Sequence, residues 1–150
     1  MLAINNLASE YKNIDEKFLI KVAKKVLLKE KISAKRNLSI ALVEASEIKK
    51  LNKIYRGKNK ETDVLSFGKL KNEPVKFKDF SEPEIIICPK EVWGNAKKEK
   101  ELFKKELARV LVHGILHLLG YDHERGENSA KKMFQKQEEY LSLFDFNSNK

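Results

Sequence analysis

The sequence predicts an α+β fold, a small mixed β-sheet packed with helices, with a three-histidine metal site at the end of a buried helix and in the turn after it. Short apolar runs of strand length, LSIALVEA, VLSF and EIIIC, occupy the middle of the chain. Segments with apolar residues at helical spacing lie on both sides of them. The resulting order is strand, helix, strand, helix, two strands, then helices, which places sheet and helices around a shared core. At 150 residues the chain suits one domain, 1–150, large enough for a hydrophobic core without covalent staples.

Leu2 to Asn6 reads as a short first strand. Asp15 is placed as an N-cap, and Phe18, Leu19, Val22, Ala23, Val26 and Leu27 follow at helical spacing, which predicts an amphipathic helix from Asp15 to about Lys29. KISAKRN is a polar connection into the strand LSIALVEA. Ser46 is then the expected cap of a second helix from about Glu47 to Tyr55. VLSF and EIIIC are two further strands, separated by GKLKNEPVKFKDFSEP, a polar loop with two prolines. From about Val92 the pattern turns helical, with Leu102, Leu107, Val110 and Leu111 leading to a stop at Gly120. Asn128 or Ser129 opens a last helix carrying Met133, Phe134, Tyr140 and Leu141, and FNSNK is a tail expected to fray.

Composition narrows the function classes. The single cysteine, Cys88, cannot form an internal disulfide, and MLAINNLASEY lacks the basic start and long apolar run of a signal peptide, so a cytoplasmic protein is expected. No apolar stretch reaches the roughly 20 residues of a membrane span; LARVLVHGILHLLGY carries an arginine and two histidines and reads as a buried helix. A net charge of +9 favours a polyanionic partner, nucleic acid first. Since 27 of the 31 basic residues are lysine, a general lysine bias gives the same excess, and charge alone is weak support.

All three histidines fall within the eleven residues HGILHLLGYDH. Four residues along an α-helix turn through about 400°, so His113 and His117 project from one face, about a turn apart, where two imidazoles can hold one ion. Gly120 lets the chain turn back sharply, and His123 can then close a third coordination position. The ligand order is that of H-E-x-x-H-x-x-G-x-x-H zinc proteases, but Gly114 stands where those enzymes carry the glutamate that takes a proton from water. Three ligands leave a fourth position open, so a bound Zn²⁺ would hold an acidified water and act as a Lewis acid.

These residues resemble the signature of the YbeY endoribonucleases, bacterial rRNA maturation factors, which is close to H-G-x-L-H-L-x-G-Y-D-H. LNKIYRGKNKETDVLSF (Leu51 to Phe67) is similar to that family's L-N-x-x-Y-R followed by T-D-V-L-S-F, and EIIIC is a third match. The resemblance implies one zinc bound by His113, His117 and His123, and Arg56 as the basic catalytic residue. It also implies an α+β fold with a mixed sheet. The implied activity is single-strand-specific cleavage of RNA in rRNA maturation, at the 3′ end of 16S rRNA, and in ribosome quality control, with the ribosomal small subunit as partner. The chain departs from the family pattern at Pro83-Glu84, where Gly-Asp is usual, and at Asn59 and Glu61, where Asp and Pro are usual.

Independently of the resemblance, Lys49, Lys53, Arg56 and Lys60 recur at helical spacing opposite Ile48, Leu51 and Tyr55, so one helix face is basic and the other is expected to pack. Arginine's planar fork binds phosphate bidentately, which singles out Arg56 among the lysines, although a solvated helix face has the same pattern. Asp122 and Glu124 beside the third histidine are candidates for proton acceptance or for orienting an imidazole. Thr62, Asp63 and Ser66 read as turn and strand residues without a catalytic role, and Cys88 as a buried core residue. Two other functions fit the same residues: a peptidase of metzincin-like ligand geometry, and a non-catalytic, zinc-containing module that binds ribosomal RNA.

Overall fold

The structure, a computed structural model, describes residues 2–33, 35–70 and 82–147. Four strands and five helices follow one another as β1 (Leu2–Asn6), α1 (Glu16–Lys29), β2 (Leu38–Leu42), α2 (Ala45–Arg56), β3 (Val64–Phe67), β4 (Glu84–Ile87), α3 (Pro89–Lys98), α4 (Phe103–Leu118) and α5 (Glu127–Leu141). The sheet order is β1-β2-β4-β3. β1 and β2 are parallel, as are β2 and β4, while β3 runs antiparallel to β4 at the edge. The mixed sheet expected from the sequence is therefore present.

Strand alternation distributes side chains to two cores. Leu38, Ile40 and Leu42 of β2, with Ile85 and Ile87 of β4, join α1 and α4 in the main core. Their neighbours face the other way, where Ile86, Leu65 and Val43 meet Ile48 of α2 in a smaller cluster. A strand covered on both faces has no need of polar residues, which is why β4 reads as a continuous isoleucine run. Helix α4 is buried nearly all round, its residues Leu107, Ala108, Val110, Leu111, Val112, Gly114, Ile115, Leu116 and Leu118 all being inaccessible. Such a helix belongs in the middle of a layer of helices.

Local chemistry sets the element ends, in some places against expectation. Asp15 caps α1 as predicted, its carboxylate accepting the Phe18 N–H at 3.0 Å. Ser46 does not cap α2. The N-cap is Glu44, whose side chain makes no capping bond: Val43 N–H pairs with Ile87 C=O and the chain bends directly after it, before Ser46 is reached. The helical region expected from Val92 to Gly120 is two helices. Pro89 opens α3 directly after β4, with Cys88 buried at its N-cap, and the chain passes through Lys100 at φ 53° before α4 begins. Helix α5 starts at Glu127, and Phe134 points to solvent instead of joining Met133 in the core. The tail is held as far as Phe146, whose ring meets Phe18 edge-on at 5.6 Å. Of the expected loop between β3 and β4, Gly68 to Leu70 are described, with Leu70 N–H bonded to Leu118 C=O at 2.9 Å; residues 71–81 lie outside the described residues. Among the described residues no helix is long and apolar enough to cross a membrane.

The Asp15 cap gives a direct test. Asp15→Ala leaves the Phe18 N–H without its side-chain partner and is expected to lower stability by about 1 kcal/mol. A urea titration should show a lower midpoint at unchanged slope.

Candidate functional site

Helix α4 carries His113 and His117 on its last two turns and stops in a glycine-terminated motif. Gly120 N–H bonds to His117 C=O and Tyr121 N–H to Leu116 C=O, each at 3.1 Å, while Gly120 sits at φ 98°. This pairing satisfies the last carbonyls of the helix and needs a left-handed residue, which glycine supplies without steric cost. The chain then reverses and brings His123 back toward the helix. Ring centroids are 5.9 Å apart for His113 and His117, 5.3 Å for His113 and His123, and 5.5 Å for His117 and His123.

Imidazoles that share one tetrahedral zinc through bonds of about 2.0–2.1 Å have ring centres roughly 5 Å apart, so the observed triangle is close to the size required. The rings are gathered without being closed: among the described residues no group of three or more His, Cys, Asp or Glu side chains is placed to hold a metal ion, so the metal site expected at the end of the helix is not itself shown. The donor set nonetheless suits zinc. His113 Nδ1 lies 3.0 Å from Gln137 Oε1, an oxygen that can only accept, so Nδ1 carries the proton and Nε2 keeps its lone pair. Burial holds the His113 pKa below its ordinary value, against the opposing effect of that hydrogen bond, and a neutral ring is the form that ligates.

The three histidines line a pocket of about 530 Å³ together with Arg56, Asp63, Ser66, Phe67 and Glu124, among others. Arg56 is the last residue of α2, which Gly57 ends at φ 70°. Buried Asn52 folds the following loop back under the helix, its Nδ2 donating to Lys60 C=O at 3.0 Å, and the chain returns to the pocket through Asp63. Arg56 Nη2 lies 3.8 Å from Glu124 Oε1, and the same carboxylate oxygen lies 3.9 Å from His123 Nε2. Pairs this exposed add little stability. Their importance is positional, since they put the arginine beside the third histidine.

The remaining candidates separate. Glu124 belongs to the pocket. Asp122 turns away, accepting the Glu124 N–H at 2.8 Å and pairing with Arg125 at 3.3 Å. Glu84 lines a different groove on the far face of the sheet, and Cys88 is enclosed behind β4, where burial raises its pKa. Tyr55, expected against the core, is 64% exposed. Two residues that bear on the site were given no role from sequence: Asp63, a pocket residue read as part of a turn, and Gln137 of α5, which meets His113. Gln137 falls on the buried face of α5 with Met133, Tyr140 and Leu141, and a polar residue on an apolar stripe was the available signal.

The turn that carries His123 is anchored from behind. Tyr121 OH donates to Glu30 Oε1 at 2.9 Å, Tyr140 OH donates to the other oxygen of Glu30, and Lys136 Nζ lies 3.6 Å from that oxygen. Burial, and then the Glu30 carboxylate, push the Tyr121 phenol up to about 12 and raise Tyr140 as well.

Comparison with known proteins places the chain in a family. The family model described as endoribonuclease YbeY matches residues 3–145. An endoribonuclease YbeY of Thermodesulfovibrio yellowstonii is 48% identical over 105 residues, 70% of this chain and 65% of that protein. One from Staphylococcus epidermidis is 39% identical over 146 residues, covering 94% of this chain and 90% of its own length. The chain thus covers just under two thirds of the first relative and most of the second. The solution structure of the Thermotoga maritima protein TM1509 superposes with a TM-score of 0.64 at 32% identity, covering all of both chains. The fold and the histidine pocket define an α+β protein with a mixed sheet and three histidines gathered at the end of its most buried helix. The chain belongs to the endoribonuclease YbeY family.

Gly114, at the place where the protease-like ligand order carries a glutamate, sits in a tight helix–sheet contact. A Cβ at this position would lie 3.1 Å from Ile85 Cγ2 and 3.2 Å from Ser66 Oγ, and Ser66 Oγ itself donates to Gly114 C=O at 3.3 Å. A side chain at 114 is therefore directed into the helix–sheet contact. Gly114→Glu should destabilise by about 3 kcal/mol or more, through overpacking and an enclosed carboxylate, and should confer no peptidase activity. Urea melts and a peptide-cleavage assay on the same preparation check both outcomes.

Proposed function

We propose that the chain is a zinc-dependent, single-strand-specific endoribonuclease that acts in rRNA maturation, at the 3′ end of 16S rRNA, and in ribosome quality control, in the cytoplasm and in association with the ribosomal small subunit. The observation that carries the reading is the gathering of His113, His117, His123 and Arg56 into one pocket of a protein whose relatives bear the name endoribonuclease YbeY. His113, His117 and His123 would hold the ion. When bound, zinc supplies Lewis acidity and a water acidified to a pKa of roughly 7.

The chain's own groups account for the rest of the chemistry. Gln137 holds the His113 ring in the tautomer that turns Nε2 toward the pocket. Arg56, rigid and permanently charged, binds the scissile phosphate and offsets charge that builds on its oxygens. Asp63 and Glu124 are the carboxylates that line the pocket and can take up a proton there. The peptidase reading is disfavoured because no carboxylate occupies position 114 and the backbone there is pressed against the sheet.

The deciding experiment treats a labelled single-stranded rRNA fragment with the purified protein, with and without chelator, and maps the product ends. Cleavage lost on chelation with the fold retained supports a catalytic ion, whereas unfolding on chelation makes the ion structural. His113→Ala should lose zinc through dialysis against a mild chelator. Gln137→Leu should bind zinc about 10–100-fold more weakly while remaining folded, as read by competition with a chromophoric chelator.

Arg56→Lys keeps the charge and loses the fork. Its zinc content should match the parent while cleavage falls by about tenfold to a hundredfold. Parent-like cleavage by this variant would remove Arg56 from the chemistry.

A further inference from the structure

Tyr55 has no part in the chemistry derived above, yet its place is distinctive. Its ring meets Phe67 at 5.1 Å between centroids with the planes at 63°, so an edge-on aromatic partner on β3 steadies a side chain that is 64% exposed. Next to the histidine pocket lies a second, larger groove of about 890 Å³ on the α2-facing side of the sheet. Tyr55 and Phe67 are the residues that border both cavities. The two rings form a sill between them.

Charge differs on the two sides of this sill. The histidine side carries Arg56, the next residue along α2, together with the carboxylates Asp63 and Glu124. The groove has an apolar floor that includes Ala41, Leu51 and Ile86, and among the described residues its rim carries Glu44, Glu47, Glu82 and Glu84. A phosphodiester finds a cation, Arg56, on the first side, whereas the described lining of the second has four glutamates and no basic residue. Unpaired bases are neutral, have an aromatic face and stack on exposed rings irrespective of sequence.

We propose that Tyr55, supported by Phe67, is a stacking platform for one unpaired nucleobase of the RNA, adjoining the nucleotide whose phosphate lies beside Arg56. The proposal rests on the RNA-cleaving reading and adds a base subsite to it. The platform makes single-strandedness a requirement of binding, because a base inside a duplex has its faces covered by neighbours and cannot be laid on the sill without unpairing. It also orients the strand, with phosphate toward the histidines and base toward the groove.

The test uses the full-length, metal-free protein, so that binding is read without cleavage, and single-stranded RNA oligonucleotides with 2-aminopurine placed at successive positions. With the parent protein, fluorescence at one position should be quenched. Tyr55→Ala should abolish that quenching and weaken binding by about tenfold, whereas Tyr55→Phe and Tyr55→Trp should retain both. Removing the base from the quenched nucleotide should weaken the parent by a similar factor and Tyr55→Ala no further. Unchanged affinity and quenching in a folded Tyr55→Ala would overturn the stacking role while leaving cleavage intact. A Tyr55→Phe variant as weak as Tyr55→Ala would assign the effect to the hydroxyl and also overturn it. Absence of both binding and cleavage by the parent would remove the RNA reading itself.

Discussion

The close seat of α4 on the sheet is the constraint from which the pocket follows. Gly114 lets the helix backbone approach β3 and β4 until Ser66 can bond to its carbonyl, and at that separation almost every other side chain of α4 is enclosed. A helix enclosed on all sides can display chemistry only near an end. His113 and His117 occupy the last two turns, and the glycine-terminated reversal after Leu119 returns His123 to them. The site is thus a consequence of where the burial of one helix stops.

The surrounding elements can be read against that end. Strand β3 lies at the edge of the sheet, so its outer side is free to line a pocket with Val64, Leu65, Ser66 and Phe67. Helix α2 covers the opposite face of the sheet and ends at Arg56, where a left-handed glycine releases the chain at the height of the histidines. Helix α5 packs beside α4 and contributes Gln137. Three elements widely separated in sequence therefore converge on the carboxyl end of one helix.

Much of this was legible from local pattern because local physics governs it. Asp15 and the apolar spacing after it, the apolar run that opens LSIALVEA and the helix stop at Gly120 each involve neighbours within a few residues, and each took the expected form. What escaped depends on distant partners. Ser46 looked like a cap, but the chain leaves the sheet right after the Val43 to Ile87 backbone bond and turns at Glu44, and Tyr55 looked like a packing residue until its aromatic partner proved to be Phe67 at the rim of the pocket. Gln137 could be recognised as out of place on an apolar face, but its partner, 24 residues earlier, could not be read from spacing. The early start of α3 followed from Pro89, a helix-opening residue that the apolar rhythm beginning at Val92 obscured, and the same rhythm gave no sign of the left-handed residue, Lys100, that divides α3 from α4.

The Glu30 anchor has a further consequence for the inheritance of this site. One carboxylate at the end of α1 receives Tyr121 from the returning turn and Tyr140 from α5, and α5 also holds the His113 ring through Gln137. Two of the three histidines are therefore indexed to a residue that lies well away from them along the chain and lines a separate cavity. Substitution at position 30 alone leaves two phenols without their acceptor, and substitution of either phenol alone leaves the carboxylate underused. Glu30, Tyr121 and Tyr140 thus form one unit of variation. Replacing all three together is expected to cost less than the sum of the single replacements, even though none of the three residues touches the pocket.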